Sequence, residues 1–423
     1  MTSSIEEAHR AIDAVWRIES ARLIATLARR VNGDVGLAED LAQDALVAAL
    51  EKWPESGIPD NPAAWLMTAA WRRGVDHFRR NRRGREKLAE VGADLAEAEQ
   101  EMPDFDSRLD DDIGDDLLRL IFTACHPVLS TEARVALTLR LLGGLTTEEI
   151  ARAFLSPTPT IAQRIVRAKR TLAEARVPYD VPRGAELAPR LASVLEVIYL
   201  IFNEGYSPTA GAEWIRPALC EEALRLGRVL AGLAPDEPEV HGLVALMEIQ
   251  ASRLRARVGP GGDPVLLMDQ DRSRWDRLLI GRGIASLGRA ASLGGALGPY
   301  ALQAAIAACH ARAARAEDTD WARIATLYDA LSGISPSPVV ELNRAVAVGK
   351  AFGPAAGLEL ADQLVGIGAL EGYHLLPAVR AEFLAELGRL GEAKAELERA
   401  AKLTRNEQEQ RLLRERIRTL VES

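Results

Sequence analysis

The stretch Leu145–Leu172, LTTEEIARAFLSPTPTIAQRIVRAKRTL, constrains this chain more tightly than any other. Thr146 can accept from a backbone N–H three residues on while Glu149 reaches back, a capping box that starts a short helix. Ile150, Ala153 and Phe154 then share one face at helical spacing. Leu155-Ser156-Pro157 breaks that helix. Thr158 suits an N-cap, and Pro159 suits the first helical position, where a missing N–H is no loss. A second helix buries Ile161, Ile165, Ala168 and Leu172. It leaves Thr160, Gln163, Arg164, Arg167, Lys169 and Arg170 at or near the outside. This is either a helix-turn-helix, whose short polar residues and arginines suit base edges and phosphates in a major groove, or an ordinary helical hairpin with a solvated basic face.

The rest of the chain keeps the helical period. Its 423 residues leave room for roughly two to four domains. Apolar residues make up 48% and aromatics only 5%. Val, Ile, Thr and Tyr never gather into alternating runs with hairpin signals, so the expected fold class is all-α. Cys125, Cys220 and Cys309 are far apart and form no CxxC, which fits free thiols in a reducing cytoplasm. The opening MTSSIEEAHR has neither a basic n-region nor an apolar h-region, and no apolar run approaches a membrane span. The expectation is a soluble, cytoplasmic protein with no membrane partner.

The net charge of −9 argues against nucleic acid only as a sum, because the charges are segregated. Residues 5–31 read as helix on Ile12, Val15, Trp16, Ile18, Leu23, Ile24 and Leu27, with a break at Asn32-Gly33-Asp34. Residues 37–53 follow, with an apolar face of Leu37, Leu41, Ala45, Val47 and Leu50. Glu39, Asp40, Gln43 and Asp44 lie opposite, as solvated surface or as a dock for a basic partner. After the breaker-rich loop 54–62, residues 63–87 turn Trp65, Leu66, Ala69, Val75 and Phe78 toward a core. They also carry Arg72, Arg73, Arg79, Arg80, Arg82, Arg83, Arg85 and Lys87, interrupted only by Asp76 and Glu86. With Trp65 and Trp71 interleaved, phosphate-binding charge joins rings that can stack on an exposed base. A solubilising helix face is the plainer alternative. Residues 88–116 are acidic and poor in apolar side chains, the composition of a flexible linker that could also cover the basic surfaces when DNA is absent. A second helical unit runs from Ile113 to about Val177 on Leu117, Leu120, Ile121, Leu137, Leu139 and Leu142. Cys125-His126 has no further ligands at zinc spacing and reads as packing and a helix end.

In this order, AEDLAQDALVAALEKW, PAAWLMTAAWRRGVDHFRR and LTTEEIARAF…PTIAQRIVRAKRTL resemble the two-domain core of bacterial extracytoplasmic-function sigma factors. The turn Ser156-Pro157-Thr158-Pro159 departs from the family's commoner glycine-containing version. The resemblance implies sigma region 2 over residues 1–88, an acidic linker over 89–112 and sigma region 4 over 113–180. It implies that Glu39, Asp40, Gln43 and Asp44 contact the clamp of the polymerase β′ subunit. Trp65, Arg72, Arg73, Asp76, Arg79 and Arg80 would lie along the opened −10 strand. Thr158, Thr160, Gln163, Arg164, Arg167 and Lys169 would enter the groove at −35. The implied partners are core RNA polymerase, through its β′ clamp and β flap, and promoter DNA. No cofactor, metal or catalytic residue is implied.

Residues 183–423 exceed what such a core needs. NRAVAVGKAFGPAAGLELADQL (343–364) echoes VRAEFLAELGRLGEAKAELERAAKL (379–403), as in helical-hairpin repeats similar to tetratricopeptide repeats. The whole then resembles the sigma subgroup whose C-terminal domain controls activity in place of an anti-sigma factor. Asn203-Glu204-Tyr206 and Asp269-Asp271-Arg272-Arg274-Trp275-Asp276 could line a groove for a protein or ligand partner, or be helix caps and inter-helix salt bridges. The competing function is a one-component helix-turn-helix regulator with a helical sensor domain, which needs neither the acidic helix nor the Trp–Arg segment. An enzyme is disfavoured: there is no nucleophile elbow, phosphate loop or metal-spaced set, and His9, His77, His126, His241, His310 and His374 are scattered.

Overall fold

The computed structural model describes residues 2–82, 109–208, 213–259 and 263–422. Over these the chain is all-α; the only β pairing among them is an isolated bridge between Val258 and Pro264. The chain divides into two compact units, 1–197 and 198–423.

The first unit begins with helices α1 (Thr2–Arg30), α2 (Val35–Ser56) and α3 (Pro62–Arg82). Asn32 and Gly33 take positive φ (56° and 80°), and the Asp34 carboxylate accepts from the Leu37 N–H at 2.9 Å. The expected break is thus a left-handed turn followed by an N-cap. Ile24, Leu27, Leu41, Ala45, Trp53 and Leu66 are among the buried side chains that join the three helices. Two residues expected in that core are not there: Ile18 is 67% and Val47 48% exposed. Val47 falls at helical spacing from Asp40 and Asp44, so it shares their outer face. Helix α2 also continues through Pro54, which shortens the expected 54–62 loop.

A second set follows: α4 (Leu109–Ala124), α5 (Thr131–Leu141), α6 (Thr147–Ala153) and α7 (Thr158–Glu174). Residues 109–116, expected in the acidic linker segment, are helical here. Asp116 is buried between Arg29 at 2.9 Å and Arg119 at 2.7 Å. The remainder of the linker expectation, through residue 108, lies outside the described residues. Cys125 packs its Sγ 3.3 Å from Thr138 Oγ1, and burial pushes its thiol up to about 11. His126 Nδ1 accepts from the Val128 N–H at 3.1 Å, a helix end as expected. Helix α8 (Leu187–Tyr206) begins in this unit. There Arg190 donates to the Phe122 carbonyl (3.0 Å), Ser193 to that of Cys125 (2.6 Å), and Arg134 to Glu196 (2.9 Å).

The second unit holds α9 (Pro217–Leu233), α10 (Pro238–Ala251), α11 (Arg277–Ser292), α12 (Pro299–Arg312), α13 (Trp321–Ile334), α14 (Pro338–Phe352), α15 (Pro354–Gly366), α16 (Leu375–Glu386), α17 (Leu390–Leu403) and α18 (Glu407–Glu422). The two echoing segments form successive hairpins, α14–α15 turning at Gly353 (φ 105°) and α16–α17 turning at Gly388 (φ 76°). A Cβ on Gly349 would lie 2.3 Å from the Phe383 ring and 3.3 Å from the Gly357 Cα. Small residues therefore stand where helices touch, as the repeat pattern requires. Asn406, buried, donates to the carbonyls of Pro208 (3.3 Å) and Glu213 (3.2 Å) and ties the start of α18 to the loop after α8.

Both C-terminal polar clusters serve the fold. Glu204 pairs with Arg216 at 2.5 Å. Asp271 caps the turn at Arg272, and Asp276 caps α11 through Leu278 (2.9 Å) and Leu279 (3.1 Å). Arg272 donates to the carbonyls of His310 (2.7 Å) and Ala313 (2.8 Å) at the end of α12. Tyr206 and Trp275 belong to a ladder in which Trp214, Arg257, Tyr206, Arg253, Trp275 and Arg272 alternate ring and guanidinium. Stacking of this kind holds a guanidinium against the negative face of a ring.

The helix contact at Gly349 is testable. Gly349→Ala gains helix propensity yet should destabilise the chain by about 1–3 kcal/mol through overpacking against Phe383. Gly333→Ala, in open space on α13, should be neutral or stabilising by up to about 1 kcal/mol. Urea unfolding of the two variants checks the difference.

Candidate nucleic-acid interface

The recognition hairpin forms from the residues that predicted it. Thr146 Oγ1 accepts from the Glu149 N–H at 3.1 Å, and Glu149 Oε2 accepts from the Thr146 N–H at 2.8 Å. Helix α7 buries Ile161, Ile165, Ala168 and Leu172, the stripe read from the sequence. The turn differs from the expectation. Pro157, not Thr158, is the N-cap, and no side chain caps α7. Helix α6 ends in a Schellman turn: the Ser156 N–H donates to the Ala151 carbonyl at 2.9 Å, and Leu155 holds φ at 47°. That left-handed position usually takes glycine; here an exposed leucine occupies it.

Six residues were expected to face the −35 groove. Thr160, Gln163 and Arg167 are exposed on the outer side of α7, and Thr158 and Arg164 are half-buried beside the stripe. Lys169 is not free. It sits on the flank next to the buried stripe, and its ammonium contacts the Glu39 carboxylate.

Helix α3 carries the expected −10 residues. Arg72 is exposed, and Arg73 lies 3.5 Å from Asp44. Trp65 is half-buried, its ring edge-on to the buried Trp53 with centroids 5.3 Å apart. Trp71 lies under the Arg30 guanidinium, 4.8 Å from its ring centroid. Asp76, Arg79 and Arg80 fall on α3, but their side chains lie outside the described residues.

The acidic face of α2 splits. Asp40 and Asp44 are exposed and Gln43 is half-buried, whereas Glu39, expected beside them, is 3% exposed. One helical step separates Glu39 from Asp40, and that step turns it toward α5 and α7. Its Oε1 accepts from Arg140 Nε at 2.6 Å and from Gln43, and its Oε2 faces Lys169. Burial raises the Asp40 carboxyl above its ordinary value, with Lys169 opposing. Arg140 and Tyr179 were not singled out from the sequence, and Asp116 was read only as part of the acidic linker stretch. The Tyr179 hydroxyl is within hydrogen-bond distance of the carbonyls of Ala25 (2.9 Å) and Asp116 (3.1 Å). Each of these residues has a partner far away in sequence, Arg29 for Asp116, Glu39 for Arg140 and Ala25 for Tyr179, which no local pattern marks. Among the described residues no His, Cys, Asp and Glu side chains gather as a metal site needs, and no helix is long and apolar enough to cross a membrane.

Known proteins carry the same modules. Residues 18–84 match Sigma-70 region 2 and residues 119–172 match Sigma-70 region 4. The ECF RNA polymerase sigma factor SigK of Mycobacterium ulcerans is 30% identical over 150 residues, 34% of this chain and 75% of that relative. The chain belongs to the ECF RNA polymerase sigma factors. It is an alternative sigma factor, and that family is one of non-enzymatic transcription initiation factors. Core RNA polymerase and promoter DNA are the partners its domains imply.

The sigma factor is also 30% identical over 173 residues to the Probable ECF RNA polymerase sigma factor SigI of Mycobacterium tuberculosis, a match covering 41% of this chain and 58% of that relative. Uncharacterized protein R00370 of Rhizobium meliloti is 44% identical over 90% of this chain and 89% of its own length, so the match reaches into the C-terminal extension. Residues 190–291 match a family of unknown function (DUF6596). No solved structure matches the sigma factor.

The pair between Arg73 and Asp44 has side chains 41% and 52% exposed, and such pairs contribute about 0–1 kcal/mol. Arg73→Ala should therefore leave the urea midpoint nearly unchanged, so that a loss of −10 strand binding in this variant reports a DNA contact and not the fold.

Proposed function

We propose that this sigma factor takes hold of core RNA polymerase with the exposed acidic face of α2 and reads a promoter with α3 and α7, under the control of its own C-terminal domain. Residues 1–88 act as region 2, 89–112 as the linker, 113–180 as region 4 and 183–423 as the regulatory domain. The single observation that carries the reading is charge segregation on one scaffold. Asp40 and Asp44 project from α2, while Gln163 and Arg167 project from a separate helix with a major-groove recognition pattern.

Asp40, Asp44 and Gln43 meet the β′ clamp, and region 4 sits at the β flap. Arg72, Arg73, Asp76, Arg79, Arg80 and Trp65 follow the opened −10 strand. Thr158, Thr160, Gln163, Arg164 and Arg167 enter the −35 groove. Each groove contact is modest and dominated by phosphate charge. Two readers tethered on one polymerase raise the local concentration of each for its element. Control by the extension is supported by α8, which starts on the region 4 helices through Arg190 and Ser193 and ends in the second unit. The second unit takes a protein or ligand partner on its helical hairpins, and the protein works in the cytoplasm.

Run-off transcription with purified core polymerase on the chain's own upstream DNA tests the whole. Full-length protein should start transcripts at a defined position, and a 1–180 truncation should differ from it in output. Asp40→Lys should abolish association with core while leaving the circular dichroism spectrum unchanged; intact association would count against the clamp contact. Arg167→Ala should weaken −35 duplex binding by about 1–3 kcal/mol and relax specificity at one base pair, read by gel shift.

A further inference from the structure

We infer that the contact between α2 and the α5–α7 flank is an autoinhibitory latch, in which Arg140 and Lys169 hold Glu39 in a closed state that polymerase and −35 DNA must each release. The inference rests on the assignment of α2 to polymerase and α7 to DNA made above. Glu39 belongs to the acidic set of α2, yet its carboxylate is buried between one guanidinium and one ammonium. A carboxylate so buried and so paired cannot meet a basic surface of another protein at the same time. Lys169 belongs to the basic set of α7 and is likewise engaged. One ion pair therefore occupies a residue that the sequence pattern assigns to each of the two binding surfaces.

The rest of the contact is broader: α1 packs along α4, and Arg17 meets Glu149 at 3.2 Å. Arg29 meets Asp116 at 2.9 Å, and the Tyr179 hydroxyl lies between the backbones of α1 and α4. Gly33 lies against Tyr179 so closely that a Cβ would stand 2.7 Å from it. Pulling the modules apart leaves Glu39 without its cations, a costly state unless new ones arrive. A basic surface on the polymerase supplies them for Glu39, and DNA phosphates supply the complementary charge for Lys169. Linkage then makes the two events cooperative: whichever partner binds first removes the competitor of the other.

Arg140→Gln tests the latch in the full-length chain, since Arg140 has no place among the proposed polymerase or DNA contacts. Spin labels at Glu55→Cys and Glu174→Cys report the separation of α2 and α7; the native cysteines are buried. The expected result is a longer distance distribution and an affinity for purified core polymerase raised about five- to thirty-fold. An unchanged distance together with an affinity within about twofold of the parent overturns the latch. If Arg140→Gln fails to fold, Asp116→Asn, which cuts the second tie, is read by the same two measurements. If the parent and every variant fail to bind core, the polymerase assignment falls, and the label distances still decide whether this pair holds the modules together.

Discussion

Glu39 is the point on which the N-terminal unit turns. Its carboxylate is buried, and a buried carboxylate persists only where cations and hydrogen bonds replace its water. Arg140 and Lys169 come from α5 and α7, so the requirement of one side chain on α2 fixes where two helices of the other module can lie. Asp116 makes a similar demand from the other direction, drawing Arg29 of α1 onto α4. Opposite charges thus cross between the two helical modules at separate places, with Tyr179 bridging backbone carbonyls nearby.

The reader helix depends on a different kind of constraint. Its orientation comes from four apolar residues, Ile161, Ile165, Ala168 and Leu172, spaced to form one stripe. Once that stripe is buried, helical geometry turns Gln163 and Arg167 outward and Lys169 to the flank. The junction before it is set by backbone chemistry. The Schellman hydrogen bonds of Leu155 and Ser156 close α6, and Pro157 and Pro159 cannot extend it but can start α7.

In the second unit, buried charge is held by ion pairs such as Glu204–Arg216 and, at two arginines, by stacking. Arg253 and Arg257 form no ion pair among the described residues and lie over Tyr206, Trp214 and Trp275 instead. Burial, together with the charges of Arg253 and Arg272, pulls the His310 imidazole down to about 3. It is therefore neutral in the folded chain at neutral pH. Acid works against this region below the ordinary imidazole range, because the unfolded chain takes up the proton first.

Local rules acting within a few residues were legible in the sequence: the all-α class, the capping box at Thr146, the turn at Asn32-Gly33, the α7 stripe and the echo that became two hairpins. Each follows from spacing along one helix or the φ of one turn. The split of the acidic face was not legible, because spacing gives only the angle between Glu39 and Asp40 and not what stands beside each. Val47 and Ile18 failed for the same reason: an apolar residue at a helical spacing is buried only if another element arrives to cover it. The partners Arg140, Lys169 and Asp116 are separated from their counterparts by long stretches of chain, and charge complementarity has no sequence period. The sequence alone determined that the chain is helical, where the Asn32-Gly33 turn and the Thr146 cap fall, and which stripe α7 buries. Only the tertiary structure decided which charged side chains remain on the surface, because that depends on which helix flank packs against which.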